Sequence, residues 1–158
     1  MEDRVPMTPE GYERLKEELQ KMKSVDRLEN VKDIEEALDH GDLSENAEYH
    51  AAKEKQAHIA GKIAQLEDRI AGAQVIDNTD QPGDKVRFGA TVVLEDIDSG
   101  DEVTYQIVGE HEADAKEGRI SVTSPVARAL MNREPGDEVN VRVPKGSREF
   151  EVLEIRYG

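Results

Sequence analysis

Two stretches of the chain carry apolar residues three or four positions apart, and the two series mirror each other. The first runs Tyr12, Leu15, Leu19, Met22, Val25, Leu28, Val31, Ile34 and Leu38; the second runs Ala47, Ala51, Ile59, Ile63, Leu66, Ile70 and Ala73. That spacing puts each series on one helical face. In an antiparallel hairpin, facing residues have position numbers with a constant sum. Tyr12 with Ala73, Leu15 with Ile70, Leu19 with Leu66, Met22 with Ile63, Leu28 with Ala57, Ile34 with Ala51 and Leu38 with Ala47 all meet this at 85, whose half falls between Asp42 and Leu43. The register predicts two arms of about 30 residues, roughly 45 Å long at 1.5 Å per residue. Thr8-Pro9-Glu10 starts the first arm with an N-cap, a proline at the first helical position and an acid in the first turn. The run of threes from Met22 to Ile34 makes the stripe drift around the axis, so the seam is not a strict heptad. Toward the tip, large residues meet Ala47, Ala51 and Ala57, which predicts a slim end that buries less apolar area.

Past residue 77 the period changes. DNTDQPGD, residues 77–84, is a turn-rich linker, and short β-branched runs follow at Val86–Phe88, Ala90–Ile97, Val103–Val108, Ile120–Val122, Val139–Val143 and Phe150–Tyr157. Ser124 and Pro125 start one short helix that continues through Val126–Met131. The expected fold class is α+β: an antiparallel helical hairpin over 1–77, with its tip near 40–46, then a small antiparallel-sheet domain with one short helix over 78–158.

Composition narrows the function. Charged residues make up 36% of the chain and aromatics 4%, which suits a narrow seam plus a small core better than one large core. The net charge is −15, and neither half is basic: residues 1–80 hold 20 acids against 11 Lys/Arg, residues 81–158 hold 16 against 10. Such a surface repels phosphates, so any action on nucleic acid needs a partner that holds it. Without cysteine there are no disulfides or thiolate metal sites. The N-terminus MEDRVPMTPEG has no apolar run, so neither a signal peptide nor a membrane span is expected there and the cytoplasm is the expected location.

The turn reads HGDLSENAEYH, residues 40–50. Capping accounts for two of its acids: Gly41 can end the first helix in a left-handed conformation, while Asp42 and Glu45 fit a capping box for the second. Capping does not account for the neighbourhood. Residues 33–54 hold Asp33, Glu35, Glu36, Asp39, Asp42, Glu45, Glu48 and Glu54, with Lys53 the one Lys or Arg. Clustered carboxylates suit Mg²⁺, which keeps waters and commonly shares ligands with a phosphate substrate. His40, His50 and His58 form no pair at helical ligand spacing, so zinc is not expected.

GDLSENAEYHAAKE (Gly41–Glu54) resembles the tip motif of the bacterial Gre transcript-cleavage factors. YQIVGEHEADAKEGRISVTSPVARAL (Tyr105–Leu130), MTPEGYERLKEEL and AQVID (Ala73–Asp77) fit the same pattern, so the resemblance covers nearly the whole chain. It implies an FKBP-like C-terminal domain that docks at the rim of the secondary channel of RNA polymerase, and a hairpin that reaches the active centre. It implies that Asp42 and Glu45 help hold an Mg²⁺ shared with the polymerase only when docked, with no cofactor bound stably in the free protein. The polymerase then cleaves its own backtracked nascent RNA at the 3′ end, so the chain is a cofactor and not itself an enzyme. Ser44, Asn46, Glu48 and Tyr49 would support the tip, Lys53 would contact RNA, and Ser124, Pro125 and Arg128 are candidates for polymerase contact. A monomer is expected.

The sequence departs from the family at three places: Leu28 follows Arg27 where proline is common, Leu38 stands where a basic residue is common, and Met131-Asn132-Arg133 replaces a more usual Gly-Lys pair. Other readings are a channel-plugging polymerase inhibitor, a coiled-coil holdase, and a prolyl isomerase. The intact DLSENAEY opposes the first, a tip whose main apolar residue is Leu43 the second, and the scarcity of aromatics the third.

Overall fold

The computed structural model describes residues 4–41 and 46–158. The chain forms two compact units, Tyr12–Gly72 and the remainder, which joins the residues up to Gly11 to Ala73–Gly158.

The first unit is the helical hairpin. Its first arm comprises α1 (Pro9–Lys21), which begins in the other unit, a π turn (Met22–Asp26) and α2 (Arg27–Leu38); the second arm is α3 (Ala47–Ala71). At the base the sequence register holds: Leu15, Ile63 and Leu66 are buried, and Leu19, Met22 and Ile70 are half-buried. Beyond Met22 the π turn interposes an extra residue, which rotates the following helix by about 100°. Asp26, Asn30, Ile34 and Ala37 then fill the seam, facing Ile59 and Ala52. The expected pairs Leu28 with Ala57, Ile34 with Ala51 and Leu38 with Ala47 are not made, because Leu28, Leu38, Ala47, Ala51 and Ala57 are exposed. The drift visible in the run of threes is thus resolved by a local π turn rather than by gradual rotation.

The second unit carries two sheets. β1 (Val5–Met7) and β2 (Ala73–Val75) pair in parallel, Val5 opposite Ala73 and Met7 opposite Val75, so Ala73 is a strand residue and not a partner of Tyr12. The periodicity missed both strands because each has three residues. Their pairing brings the segment before the hairpin and the segment after it into the sheet unit, whereas the composition break drew the line near residue 77. The larger sheet has five strands in the order β5 (Arg119–Ser121), β4 (Glu102–Val108), β3 (Thr91–Asp96), β7 (Gly146–Arg156), β6 (Glu138–Val143). Three of its pairings are antiparallel and β4–β5 is parallel, so the sheet is mixed. Val93 pairs with Glu154 and Leu94 with Val152, which leaves Leu153 as a bulge residue and lets Val152 and Ile155 both face inward. The helix α4 (Pro125–Leu130) lays Ala127 and Leu130 on the core formed by Val92, Leu94, Ile107, Val141, Phe150 and Val152.

Val86–Phe88 is not a strand of this sheet. The amide of Val86 donates to Arg133 O (2.9 Å), and Asn132 N donates to Val86 O (2.8 Å). The Tyr157 hydroxyl donates to the Lys85 carbonyl and accepts from Arg87 N. The segment is therefore held by single bridges from two directions. Asn132 has φ 68, a left-handed backbone that glycine takes freely and asparagine tolerates better than most residues.

Candidate functional site

The distal end of the hairpin carries the acids that the sequence singles out. Asp42, Leu43, Ser44 and Glu45 lie outside the described residues; what flanks them is defined. Gly41 has φ 95, the left-handed turn expected at the end of the first arm, and its amide donates to Leu38 O (3.2 Å). The second arm starts at Ala47, capped by Asn46, whose Oδ1 accepts from Tyr49 N (3.0 Å). The N-cap is thus Asn46 and not Asp42, so the helix begins several residues later than a capping box on Asp42 and Glu45 requires. Asn46, expected to support the tip, is the cap of the second arm.

Asn46 does a second thing. Its Nδ2 donates to the Ala37 carbonyl of the opposite arm (2.6 Å). In the middle of the arms Asn30 makes the converse bond, Nδ2 to the Ala52 carbonyl (3.0 Å). Each arm therefore sends one amide to the backbone of the other, and both amides land at alanines, Ala37 and Ala52, which are themselves buried in the seam. Small residues at these positions permit close approach of the two arms, although they are not the alanines that the register pairs with large residues.

Around this seam the surface is acidic. Asp33, Glu35, Glu36, Asp39 and Glu48 are all exposed. His40 Nδ1 lies 3.3 Å from Glu48 Oε2, and the rings of Tyr49 and His50 meet edge to face at 5.6 Å. Tyr49 is half-buried. Lys53 is exposed and donates to Gln56 Oε1 (2.7 Å). Among the described residues no group of three or more His, Asp or Glu is arranged to hold a metal.

In the other unit, Ser124 caps α4, its Oγ accepting from Ala127 N (3.2 Å), with Pro125 at the first position. Pro125 and Arg128 are exposed on that short helix, while Ser124 is partly covered.

One buried acid escaped the sequence. Glu112 accepts from Thr8 N (3.0 Å) and Gly109 N (2.8 Å) through Oε2, and from the Thr8 hydroxyl through Oε1. Thr8 in turn caps α1, its Oγ1 accepting from Gly11 N (3.1 Å). A Cβ at Gly11 would fall 1.9 Å from Glu112 Oε1, and one at Gly109 would fall 1.9 Å from Pro6 O, so the approach needs both glycines. The signal in the sequence was the N-cap itself; nothing local could indicate an acid 104 residues away.

Residues 5–75 match the family model described as "Transcription elongation factor, N-terminal", and residues 81–157 match "Transcription elongation factor, GreA/GreB, C-term". The chain is 63% identical over 154 residues to the transcription elongation factor GreA of Anaeromyxobacter sp. (strain K), covering 98% of this chain and 93% of that protein. It is 57% identical over 155 residues to the GreA of Hyphomonas neptunium, covering 98% and 99%. The crystal structure of GreA factor homolog 1 (Gfh1) of Thermus thermophilus matches with TM-score 0.44 at 32% identity, over 97% of this chain and 99% of that one.

Proposed function

Because the chain belongs to the GreA/GreB family of transcription elongation factors, we propose that it binds RNA polymerase, passes the hairpin end through the secondary channel and stimulates the polymerase's own cleavage of backtracked RNA. The observation that carries the reading is the acid-crowded distal half of the hairpin, where Asp33, Glu35, Glu36, Asp39 and Glu48 are all exposed. Acids clustered on a narrow hairpin destabilise one another in solution, and the crowding has a use where a partner supplies the opposite charge. With a net charge of −15 the chain is poorly suited to hold RNA by itself, so the polymerase holds the transcript and the factor contributes carboxylates.

Asp42 and Glu45 are the proposed contributors. Two carboxylates are hard oxygen donors of the kind Mg²⁺ takes, yet too few for its octahedral shell, so the remaining ligands come from the polymerase, water and RNA phosphate. When held there, the ion supplies charge stabilisation and an activated water for phosphodiester hydrolysis. The residues of this chain hold and orient. Asn46 fixes the start of α3 beside the acids, and Glu48 and Tyr49 support the same turn. Ser44 belongs to the same tip support, Lys53 is the proposed RNA contact, and Ser124, Pro125 and Arg128 are the proposed contacts with polymerase.

A backtracked elongation complex with cognate polymerase tests this. Asp42→Asn and Glu45→Gln should each lower the cleavage rate by at least about 100-fold, while binding to polymerase stays within about twofold. Unchanged cleavage in both variants would remove the assigned roles.

A further inference from the structure

The larger sheet ends on one side in β5, of three residues, and on the other in β6, of six. In an antiparallel strand each residue turns its N–H and C=O to the same side, and successive residues alternate. Val152 N donates to Asp137 O (2.8 Å), and on the far side of β7 Ile97 N donates to Glu149 O (3.0 Å). Alternation from these bonds turns Val139, Val141 and Val143 toward β7, and Glu138, Asn140 and Arg142 toward the open edge. The side chains of those three are exposed, whereas Val139 and Val141 are buried in the core with Ala127 and Leu130 of α4. Gly136, with φ 94, and Asp137 share Val152 in a bulge that ends the edge on one side, and the Pro144-Lys145 turn ends it on the other.

Open edges are commonly blocked by charge. Here the two charges have opposite signs and stand symmetrically about Asn140. Within one chain neither is matched: Glu138 stands opposite Glu151 across the ladder, a like pair, and Arg142 stands opposite Ser147. Among the described residues neither Glu138 nor Arg142 has an ion-pair partner. A second copy laid antiparallel, Asn140 opposite Asn140, sets the Glu138 of each copy against the Arg142 of the other. The same register gives every outward N–H and C=O of the three residues a partner.

We propose that β6 is a dimerisation edge whose occupant is a second copy of this chain, joined across a two-fold axis at Asn140 into one continuous sheet. A two-fold interface requires a strand to match its own reverse, and the charges of Glu138, Asn140 and Arg142 do so. The net charge of −15 opposes the approach of two chains. That repulsion is screened beyond about 8 Å at physiological ionic strength, while touching pairs are screened less. The dimer is therefore weak, and the monomer expected from the sequence is its dilute state. The pairing does not depend on the function proposed above.

Sedimentation equilibrium of the full chain up to millimolar concentration should show a reversible dimer. Glu138→Arg and Arg142→Glu should each weaken it by about 10-fold or more, and the double variant should restore it to within about threefold. An equimolar mixture of the two single variants should form a heterodimer, because each supplies the sign that the other lacks. Glu138→Arg makes the chain less acidic, so tighter association of that variant would show that overall repulsion governs and would overturn the proposal. Asn140→Pro removes an outward N–H that β7 does not use; it should leave the circular dichroism unchanged and abolish the dimer. In the parent, the amides of Glu138, Asn140 and Arg142 should exchange with solvent several-fold more slowly at high concentration, and those of Val139 and Val141 should not change. A chain that is monomeric at every concentration, or a dimer indifferent to all these substitutions, would overturn the proposal. So would protection of the same three amides by added RNA polymerase alone, which would give the edge to that partner.

Discussion

At the scale of single residues, the side chains that matter most are those whose bonds cross long sequence distances. Glu112 is buried and receives three donors from Thr8 and Gly109. Removing the carboxylate leaves three buried groups without a partner, and each such group costs about 1–3 kcal/mol. Glu112→Ala should therefore destabilise the sheet unit by roughly 3 kcal/mol or more, read as a lower denaturant midpoint at unchanged slope. Gly11→Ala should have a comparable effect by forcing the same carboxylate out, although Gly11 lies in a helix where alanine is ordinarily the better residue. A Gly11→Ala protein as stable as the parent would show that Glu112 can bond elsewhere. Neither residue was legible as a partner of the other in the sequence. The Thr8-Pro9 start and the Ser124-Pro125 start were, because a cap acts within three residues of itself.

At the scale of elements, periodicity revealed both arms, the turn between them and the short helix, since each depends on spacing within one segment. It located most strands of the larger sheet as β-branched runs and erred at Val86–Phe88, where the apolar pattern is real but the bonds go to Asn132, Arg133 and Tyr157 instead of a neighbouring strand. It erred also in the distal seam. A constant sum fixes the height at which residues meet, not the side of the helix they present, and the π turn changes that side. This has a direct test. Deleting Ser24 takes the extra residue out of the π turn and allows a continuous α-helix from Pro9 to Leu38, with the distal residues still in their observed phase. The deletion variant should keep its fold and melt no lower than the parent, with a gain of about 1 kcal/mol at most. Thermal melting followed at 222 nm decides it: a fall by more than a few degrees would mean that the π turn is needed for the packing and is not merely tolerated by it.

At the scale of the whole molecule, the order of elements in the chain differs from their grouping in space. The hairpin is an insertion: the sheet unit begins before it, at β1, and resumes after it, at β2. No helix among the described residues is long and apolar enough to cross a membrane. The insertion is invisible to composition, which changes at residue 77, yet it determines what an isolated C-terminal fragment lacks. Residues 78–158 alone would be without the β1–β2 pair, the buried Met7 and the Thr8 donors to Glu112. Residues 4–11 joined by a short flexible linker to 73–158 would have all of them. The joined form should be more stable by about 3 kcal/mol, the contribution of the Glu112 bonds. For a domain of this size that is a difference in melting temperature of more than about 10 °C. Calorimetry on the two fragments measures it, and Glu112→Ala in both gives the control: the substitution should cost the joined form most of its advantage and cost the shorter one far less, because there the carboxylate has already lost Thr8. Equal melting of the two unsubstituted fragments would show that the N-terminal strand only rests on the sheet unit, and that residue 77 is a sufficient boundary after all.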